Sequence, residues 1–334
     1  MRLSSTHIRR PSRAEPAFCS VVTDNFVVGF ICMERTLRKT NPELDFPIYV
    51  VTSERAPLSA ASRDLIRAHC RNVYFHEASN APLDPVYRYA ARVIGTPERL
   101  LPVFSILSAF ELRMHERVVC LDSDMLICGS LAELFEVDVR FAAVRARDTQ
   151  TNAPMNFINT GVMVLGSEYL HGFDLAEAIA RIGDRPPRPG TGKADQAIIN
   201  LLFPNEIIHY LPARFNYTKR MLRHEMEPPL ENPDDVASHL HRNDIRVLHF
   251  VGEKPWNPKV RQVETSYQAA EELWREALAD IGSPALFQHM DKLNRLWHQR
   301  YIEASRLLLK NYSQRRRTPS NTQIEREFAR AMGL

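Results

Sequence analysis

The chain has 334 residues, enough for one large α/β domain or two ordinary ones, and its 44% hydrophobic and 25% charged residues are those of a globular protein. Collagen-like, low-complexity and disulfide-scaffold classes are excluded, and no run approaches the roughly 18 apolar residues of a membrane span. The net charge is +3, from 43 Lys and Arg against 40 Asp and Glu, which gives no sign of a nucleic-acid partner.

Residues 1–16 (MRLSSTHIRRPSRAEP) are basic but have neither the apolar stretch of a secretory leader nor an apolar face, and they predict a disordered tail. Residues 17–30 (AFCSVVTDNFVVGF) predict a strand, a polar turn at Thr23-Asp24-Asn25 and a helix start. PIYVVTS predicts the next strand, ASRDLIRAHC a helix and NVYFHEA a further strand. This alternation argues for a mostly parallel sheet with crossover helices. LPVFSILSAFELRM, over 101–114, reads as a helix leading into RVVCLDSDMLI, the strongest buried-strand signal in the chain. LAELF, FAAVRARD and FINTGVMVL follow, then a helix near FDLAEAIARI. RPPRPGTGK, over 185–193, is a loop by its prolines and glycines. ADQAIINLLF then predicts a helix, IIHYLP a short strand and IRVLHFVG the last strand.

Two helices close the chain. Tyr267, Ala270, Leu273, Trp274, Ala277 and Leu278 recur at helical spacing, as do Phe287, Met290, Leu293, Trp297, Tyr301, Ala304 and Leu308. Ten Lys and Arg against Asp291, Glu303, Glu325 and Glu327 make 287–334 the basic part of the molecule. The expected domains are a tail at 1–16, an α/β body at 17–262 and a helical region at 263–334, the last part basic. That basic helix suits peripheral contact with an anionic membrane surface. It equally suits packing of its apolar face on the body or on a second subunit, the favoured reading. Arg315-Arg316-Arg317 also reads as a disordered charge run. Cys19, Cys32, Cys70, Cys120 and Cys128 are odd in number and lack metal-ligand spacing, and several lie in apolar runs as small hydrophobes. They predict a reducing, cytoplasmic compartment.

The chemistry concentrates at Val118-Val119-Cys120-Leu121-Asp122-Ser123-Asp124-Met125-Leu126. An apolar strand ends in two carboxylates at i and i+2, which can project to the same side. In an open parallel sheet, ligands bind beyond the carboxyl ends of strands. Two close carboxylates repel and call for a cation, with oxygen ligands favouring Mg2+ or Mn2+. On the tripeptide alone, a solvated turn capping a strand is an equally good reading. A second segment, IRVLHFVGEKPW, puts His249 at the end of another apolar strand, then Gly252, then Lys254 before Pro255. An imidazole suits Mn2+ and a lysine suits a diphosphate. Taken singly, His249 reads as a packed histidine, Lys254 as a surface lysine and Trp256 as core. Asn159-Thr160-Gly161 places small or amide residues where a backbone meets a ligand. Asp195-Gln196 opens a helix, with Asp195 expected as its cap, which leaves Gln196 unexplained.

LDSDMLI, NTGVMVL, ADQAIIN and HFVGEKPWN, in this order, resemble the glycogenin-like retaining glycosyltransferases, glycosyltransferase family 8, over about residues 17–260. The resemblance implies the GT-A (nucleotide-diphospho-sugar transferase) fold, an α/β architecture with a mostly parallel sheet flanked by helices, here followed by a helical C-terminal tail. It also implies a nucleotide-sugar donor, usually a UDP-sugar, a carbohydrate or glycoconjugate acceptor, and Mn2+ (or Mg2+). By matching motif, Asp122, Asp124 and His249 would be metal ligands, with Asp122 and Ser123 near the ribose. Lys254 and the Gly252 backbone would hold the diphosphate. Asn159, Thr160 and Gly161, with Asp195 and Gln196, would bind the donor sugar. In VVTDNF, Val22 and Thr23 would meet the uracil and Phe26 would stack on it or on the ribose. The chain departs from the family at Ile106, where a basic residue is common, and Arg92 and Arg99 are the nearby candidates to replace it. The spacing from His249 to Lys254 is also one residue shorter than in many members.

With no unambiguous carboxylate nucleophile in the sequence, retention is expected by front-face displacement, with Gln196 and Asp195 positioning the sugar. Two other readings compete. A haloacid-dehalogenase-like phosphatase also places Asp-x-Asp after a strand, but its motif normally continues with Gly and stands near the chain start. A degenerate, non-catalytic sugar-nucleotide binder is suggested by Ile106 alone.

Overall fold

A computed structural model describes residues 15–225, 228–257, 264–313 and 327. Its strands are β1 (Ala17–Val21), β2 (Ile48–Ser53), β3 (Val73–Ala78), β4 (Arg117–Leu121) and β5 (Met125–Ile127), then β6 (Phe141–Arg147), β7 (Pro154–Gly166), β8 (His209–Leu211), β9 (Tyr217–Thr218) and β10 (Val247–His249). Seven form one sheet in the order β3-β2-β1-β4-β7-β6-β8, and three form a small sheet, β5-β10-β9. The run from β3 through β2 and β1 to β4 is parallel, and β7 is antiparallel to both of its neighbours. Parallel neighbours need crossovers, supplied by helices α1 (Val27–Thr40), α2 (Ala60–His69) and α3 (Asn80–Tyr89). Every residue of β2 is buried, as an interior parallel strand covered on both faces requires.

Short helices α4 (Glu133–Glu136), α5 (Ser167–Gly172) and α6 (Leu175–Ile182) precede α7 (Asp195–Leu202), which carries the Asp-Gln pair. Helices α8 (Pro233–Arg242) and α9 (Thr265–Ala279) follow. The chain divides into two compact units, Met1–Pro255 with Val263–Gly282, and Trp256–Gln262 with Ser283–Leu334. The first unit holds both sheets, and α9 joins it through a buried ion pair of Glu271 with Lys219 at 2.9 Å. The second holds α10 (Pro284–Ser313), on which Phe287, Leu296 and Ile302 are exposed. The tail at 1–14, the side chains of Trp297, Tyr301 and Leu308, and the Arg315–317 run lie outside the described residues. Among the described residues no helix is long and apolar enough to cross a membrane.

Two local expectations are corrected. The helix expected over 101–114 runs over Glu98–Glu111, so its bounds shift, and it winds as a 3-10 helix. Pro102 has no N–H to give, and the Ser105 and Ser108 hydroxyls donate to the carbonyls of Pro102 (2.7 Å) and Ser105 (2.8 Å), a pattern that favours the tighter winding. The second correction concerns RVVCLDSDMLI, which is two strands in two different sheets. The Asp122 N–H still donates to the Gly161 carbonyl at 2.9 Å, prolonging the β4–β7 ladder, while the Asp124 carbonyl already accepts from the Phe250 N–H at 2.9 Å beside β10. The chain changes sheets within three residues, and those residues carry both carboxylates.

Helix α7 is pinned to β7 by one side chain. Asn200, 1% exposed, accepts from the Ile158 N–H (2.8 Å) and donates to the Ile158 carbonyl (3.0 Å), where β4 has already ended, and it also donates to the Gln196 carbonyl (2.8 Å). Its amide thus replaces a strand edge. Asn200→Ala leaves both Ile158 groups buried without partners and is expected to cost about 2–4 kcal/mol, read from the urea midpoint at constant m-value.

Candidate active site

The small sheet brings three distant segments together. In β10, His249 lies opposite Met125 of β5 on one side and Thr218 of β9 on the other. Met125 follows Asp124 directly, and Thr218 stands two residues after Asn216. Strand register therefore places a carboxylate, an amide and an imidazole side by side, although the carboxylate stands about a hundred residues before the other two.

His249 is 3% exposed, and its Nε2 lies 3.2 Å from Asp124 Oδ1 and 3.4 Å from Asp122 Oδ2. One ligand atom from each of the three residues lies within 4.8 Å of the other two. Lys254 donates to Asp124 Oδ2 and to the Phe250 carbonyl, the latter at 3.1 Å. Burial works against the Asp124 carboxylate, yet Lys254 and His249 outweigh it and hold the group well below the usual carboxylate range. Asp122, at the half-exposed rim, is pushed up to about 7. Withdrawal from water is the main cause, His249 opposes it, and the Asp124 and Asp195 carboxylates reinforce it. The two carboxylates differ because Lys254 and His249 both hydrogen-bond Asp124, whereas they act on Asp122 only through their charge.

A chain of amides fixes the histidine. The Gly161 N–H donates to Asn159 Oδ1 at 3.0 Å, and since a backbone N–H can only donate, the Asn159 amide has one orientation. Asn216 Nδ2 donates to that same oxygen at 2.6 Å, so Asn216 Oδ1 is the atom 2.8 Å from His249 Nδ1. Nδ1 therefore carries a proton, and Nε2, which faces the carboxylates, is the nitrogen left for a cation, the orientation that metal-binding histidines take from such a partner. At the other end, Asn159 Nδ2 donates to Gln196 Oε1 at 3.2 Å, and Gln196 Nε2 reaches the Thr191 carbonyl at 3.5 Å. Two carboxylates and an imidazole nitrogen converging on one point fit a divalent ion of the Mn2+ or Mg2+ kind.

Asp195 does not cap α7. Ala194 holds that position, and Asp195 is the first helical residue. Burial pushes the Asp195 carboxyl up, while the Thr160 hydroxyl and the first N–H groups of the helix hold it down. Thr160 is thus committed to Asp195. Gly161 is committed as well, its N–H to Asn159 and its carbonyl to Asp122. The room left by its missing side chain belongs to His249, whose Cε1 would lie 2.5 Å from an added Cβ.

At the front of the cleft, Phe26 lies with its ring centroid 5.6 Å from Lys254 Nζ. Thr23 precedes the short 3-10 turn that presents Phe26. Val22 is fully buried and its N–H donates to the Val51 carbonyl at 3.0 Å, which leaves only its carbonyl for a ligand. Ser123 is buried between the two carboxylates. Gly252 has φ +81°, a conformation glycine adopts freely, and an added Cβ would lie 3.2 Å from Arg220 Nη2. Ile106 belongs to the hydrophobic core. Neither candidate replacement meets the acidic pair: Arg92 pairs with Asp184, and Arg99 lines a separate cavity with Arg55 and Pro102. Asn216 is the residue that sequence reasoning missed. RFNYT carries no motif, and its amide gains meaning only from the β9–β10 register.

The family model described as glycosyl transferase family 8 matches residues 19–259. Among characterised relatives, the glycosyltransferase GlyB of Streptococcus pneumoniae is 26% identical over 172 residues, 49% of this chain and 41% of that protein. GlyF of the same organism is 22% identical over 239 residues, 68% of this chain and 54% of that protein. The chain thus spans about half the length of these relatives. The crystal structure of galactosyltransferase LgtC with donor and acceptor sugar analogues superposes with a TM-score of 0.56 at 17% identity, covering 80% of this chain and 96% of LgtC. That of GlyE from Streptococcus pneumoniae gives 0.52 at 18% identity, covering 82% and 64%. At such identities the likeness shows the fold, which is the GT-A fold of these neighbours.

Because His249 fills the space beside Gly161, Gly161→Ala is expected to displace the ring. The His249 imidazole resonances should shift, and the urea midpoint should fall by the equivalent of about 1–3 kcal/mol.

Proposed function

The chain belongs to glycosyl transferase family 8, and on that premise we propose that it is a metal-dependent, retaining glycosyltransferase. It would move a hexose from a nucleotide-sugar, a UDP-sugar by family, to a saccharide or glycoconjugate acceptor. The observation that carries this reading is the convergence of Asp122, Asp124 and His249 Nε2, with Lys254 already on Asp124. A phosphatase of the haloacid-dehalogenase kind has no use for that histidine and lysine, and the family match disfavours it.

In this proposal Asp122, Asp124 and His249 hold Mn2+ or Mg2+, which when bound supplies positive charge against the donor diphosphate. Lys254 adds a second positive charge on the leaving group, and Gly252 offers its backbone there. Phe26 and Thr23 receive the nucleoside. Asn159, Asp195 and Gln196 receive the sugar. Cleavage sends the electron pair of the anomeric C–O bond onto the diphosphate. The acceptor oxygen bonds to the anomeric carbon on the same face, and its proton passes to the departing phosphate oxygen. Gln196 suits positioning rather than attack, since both ends of its amide are engaged by Asn159 and Thr191. Fixed dipoles of this kind need no reorganisation as charge develops.

The test is UDP release from a panel of UDP-hexoses with Mn2+, with the anomeric configuration of any product read by NMR. Asp124→Asn, His249→Ala and Lys254→Ala are each expected to lower turnover by about 100-fold or more, and the product should retain configuration. An inverted product would overturn the mechanism, and no release from any donor would favour a degenerate binder. A second expectation concerns pH. The Asp122 carboxyl, pushed up to about 7, must lose its proton to bind a cation. Mn2+ affinity, measured by titration calorimetry, should be flat above that value and weaken about tenfold per unit below it.

A further inference from the structure

Beside the amide chain opens a cavity of about 390 Å³. Its lining includes Asn159, Gln196 and Asn216, and also three arginines, Arg145, Arg147 and Arg220. Several arginines elsewhere pair with carboxylates, as Arg63 does with Glu77, Arg140 with Glu168 and Arg214 with Glu133, while Arg185 and Arg188 are held by carbonyls. Among the described residues, the three that line the cavity have no carboxylate in ion-pair range.

Each is held in a way that keeps most of its donors available. Arg145 stacks over the Tyr210 ring at 3.7 Å, with one N–H toward the Met155 carbonyl at 3.4 Å. Arg147 gives one N–H to the Asn152 carbonyl at 2.7 Å. Arg220 lies against Gly252, where the absent side chain admits its guanidinium. A guanidinium has five N–H donors, so a planar fork remains on Arg145 and on Arg147. Among the described residues lining the cavity, the acidic one is Asp148. Its Oδ1 is occupied by the N–H groups of Gln150 (3.0 Å) and Thr151 (2.8 Å) and by the Thr151 hydroxyl (2.9 Å). Three positive charges thus stand against one carboxylate, one oxygen of which is taken up by its own turn.

Resting on the transferase reading above, we infer that the acceptor is anionic: a saccharide or glycoconjugate carrying a phosphate or carboxylate group near the hydroxyl that attacks. Guanidinium forks match both groups bidentately, and a neutral acceptor would leave Arg145 and Arg147 turned toward nothing that uses them. The donor diphosphate is answered elsewhere, by Lys254 and the metal ligands, on segments other than the β6 strand that carries these two arginines.

The experiment uses the full chain with saturating UDP and Mn2+. It measures binding of glucose, glucose 6-phosphate, glucuronate and inorganic phosphate by ligand-observed NMR. At least one anionic sugar is expected to bind about tenfold or more tighter than glucose. The phosphate and the carboxylate arms identify which group is read. Arg147→Gln should erase most of that preference, and Arg147→Lys, which keeps the charge but loses the fork, should retain part of it. Equal binding of neutral and anionic probes by a chain that hydrolyses a UDP-sugar overturns this inference and leaves the transferase reading standing. So does a preference that survives in the Arg145→Gln/Arg147→Gln double variant, or a double variant whose only defect is a raised KM for the donor. Failure to hydrolyse any donor overturns the transferase reading, and this inference with it.

Discussion

Two carboxylates one residue apart at the end of a buried strand are an electrostatic liability, and the architecture around them is organised to answer it. Asp124 is 4% exposed, where an unneutralised carboxylate is costly. The answer comes from His249 and Lys254, which lie more than a hundred residues further along the chain. To bring them there, the chain leaves the large sheet within Asp122-Ser123-Asp124 and enters a small one whose central strand ends at His249. The small sheet exists at the one place where like charges must meet a cationic partner. The arrangement is asymmetric. Asp124 is held ionised by lysine, while Asp122 sits at the rim with a raised affinity for a proton.

Around this charge cluster the structure spends uncharged groups on orientation. Asn216, Asn159 and Gln196 form a single file of amides whose direction is dictated by one backbone donor, the Gly161 N–H. No amide in the file can turn over without breaking two hydrogen bonds, so the histidine orientation and the glutamine at the head of α7 are set together. Asn200 fastens the same helix to the same strand. Such a network is strongest when complete and costly when partly broken. That suits a site in which dipoles must already point correctly when a sugar–phosphate bond breaks.

The adjoining cavity carries charge of the opposite sign. An acidic group paired with lysine and histidine occupies one side of the cleft, and three arginines border the adjoining cavity. The residue that departs from the family pattern, Ile106, takes no part in either, because it packs into the apolar core between the 3-10 helix and the large sheet. Basic charge near the site is supplied from β6 and from the segment after β9. Those arginines reach the cavity by tertiary packing, and Arg220 lies close against residue 252, which lacks a side chain.

Much of this was legible in the residues alone. Apolar runs and their breaks located the strands, and ordered motifs located Asp122, Asp124, His249, Lys254, Asn159 and Gln196, because periodicity and spacing are local properties of a chain. The division of RVVCLDSDMLI between two sheets was not legible, since its apolar pattern reads continuously and only the partner strands differ. Nor was the 3-10 winding of 98–111, in which two serine hydroxyls bond back onto carbonyls. The role of Asn216, the service of Gly161 to a histidine rather than to a ligand, and the clustering of three arginines were likewise hidden. Each depends on residues that are tens of positions apart and become neighbours only through strand register. Sequence could determine which chemical groups this protein possesses and along which elements they lie. Only the tertiary structure could decide which of them face one another, because that is fixed by pairing and packing between segments that carry no local mark of their partners.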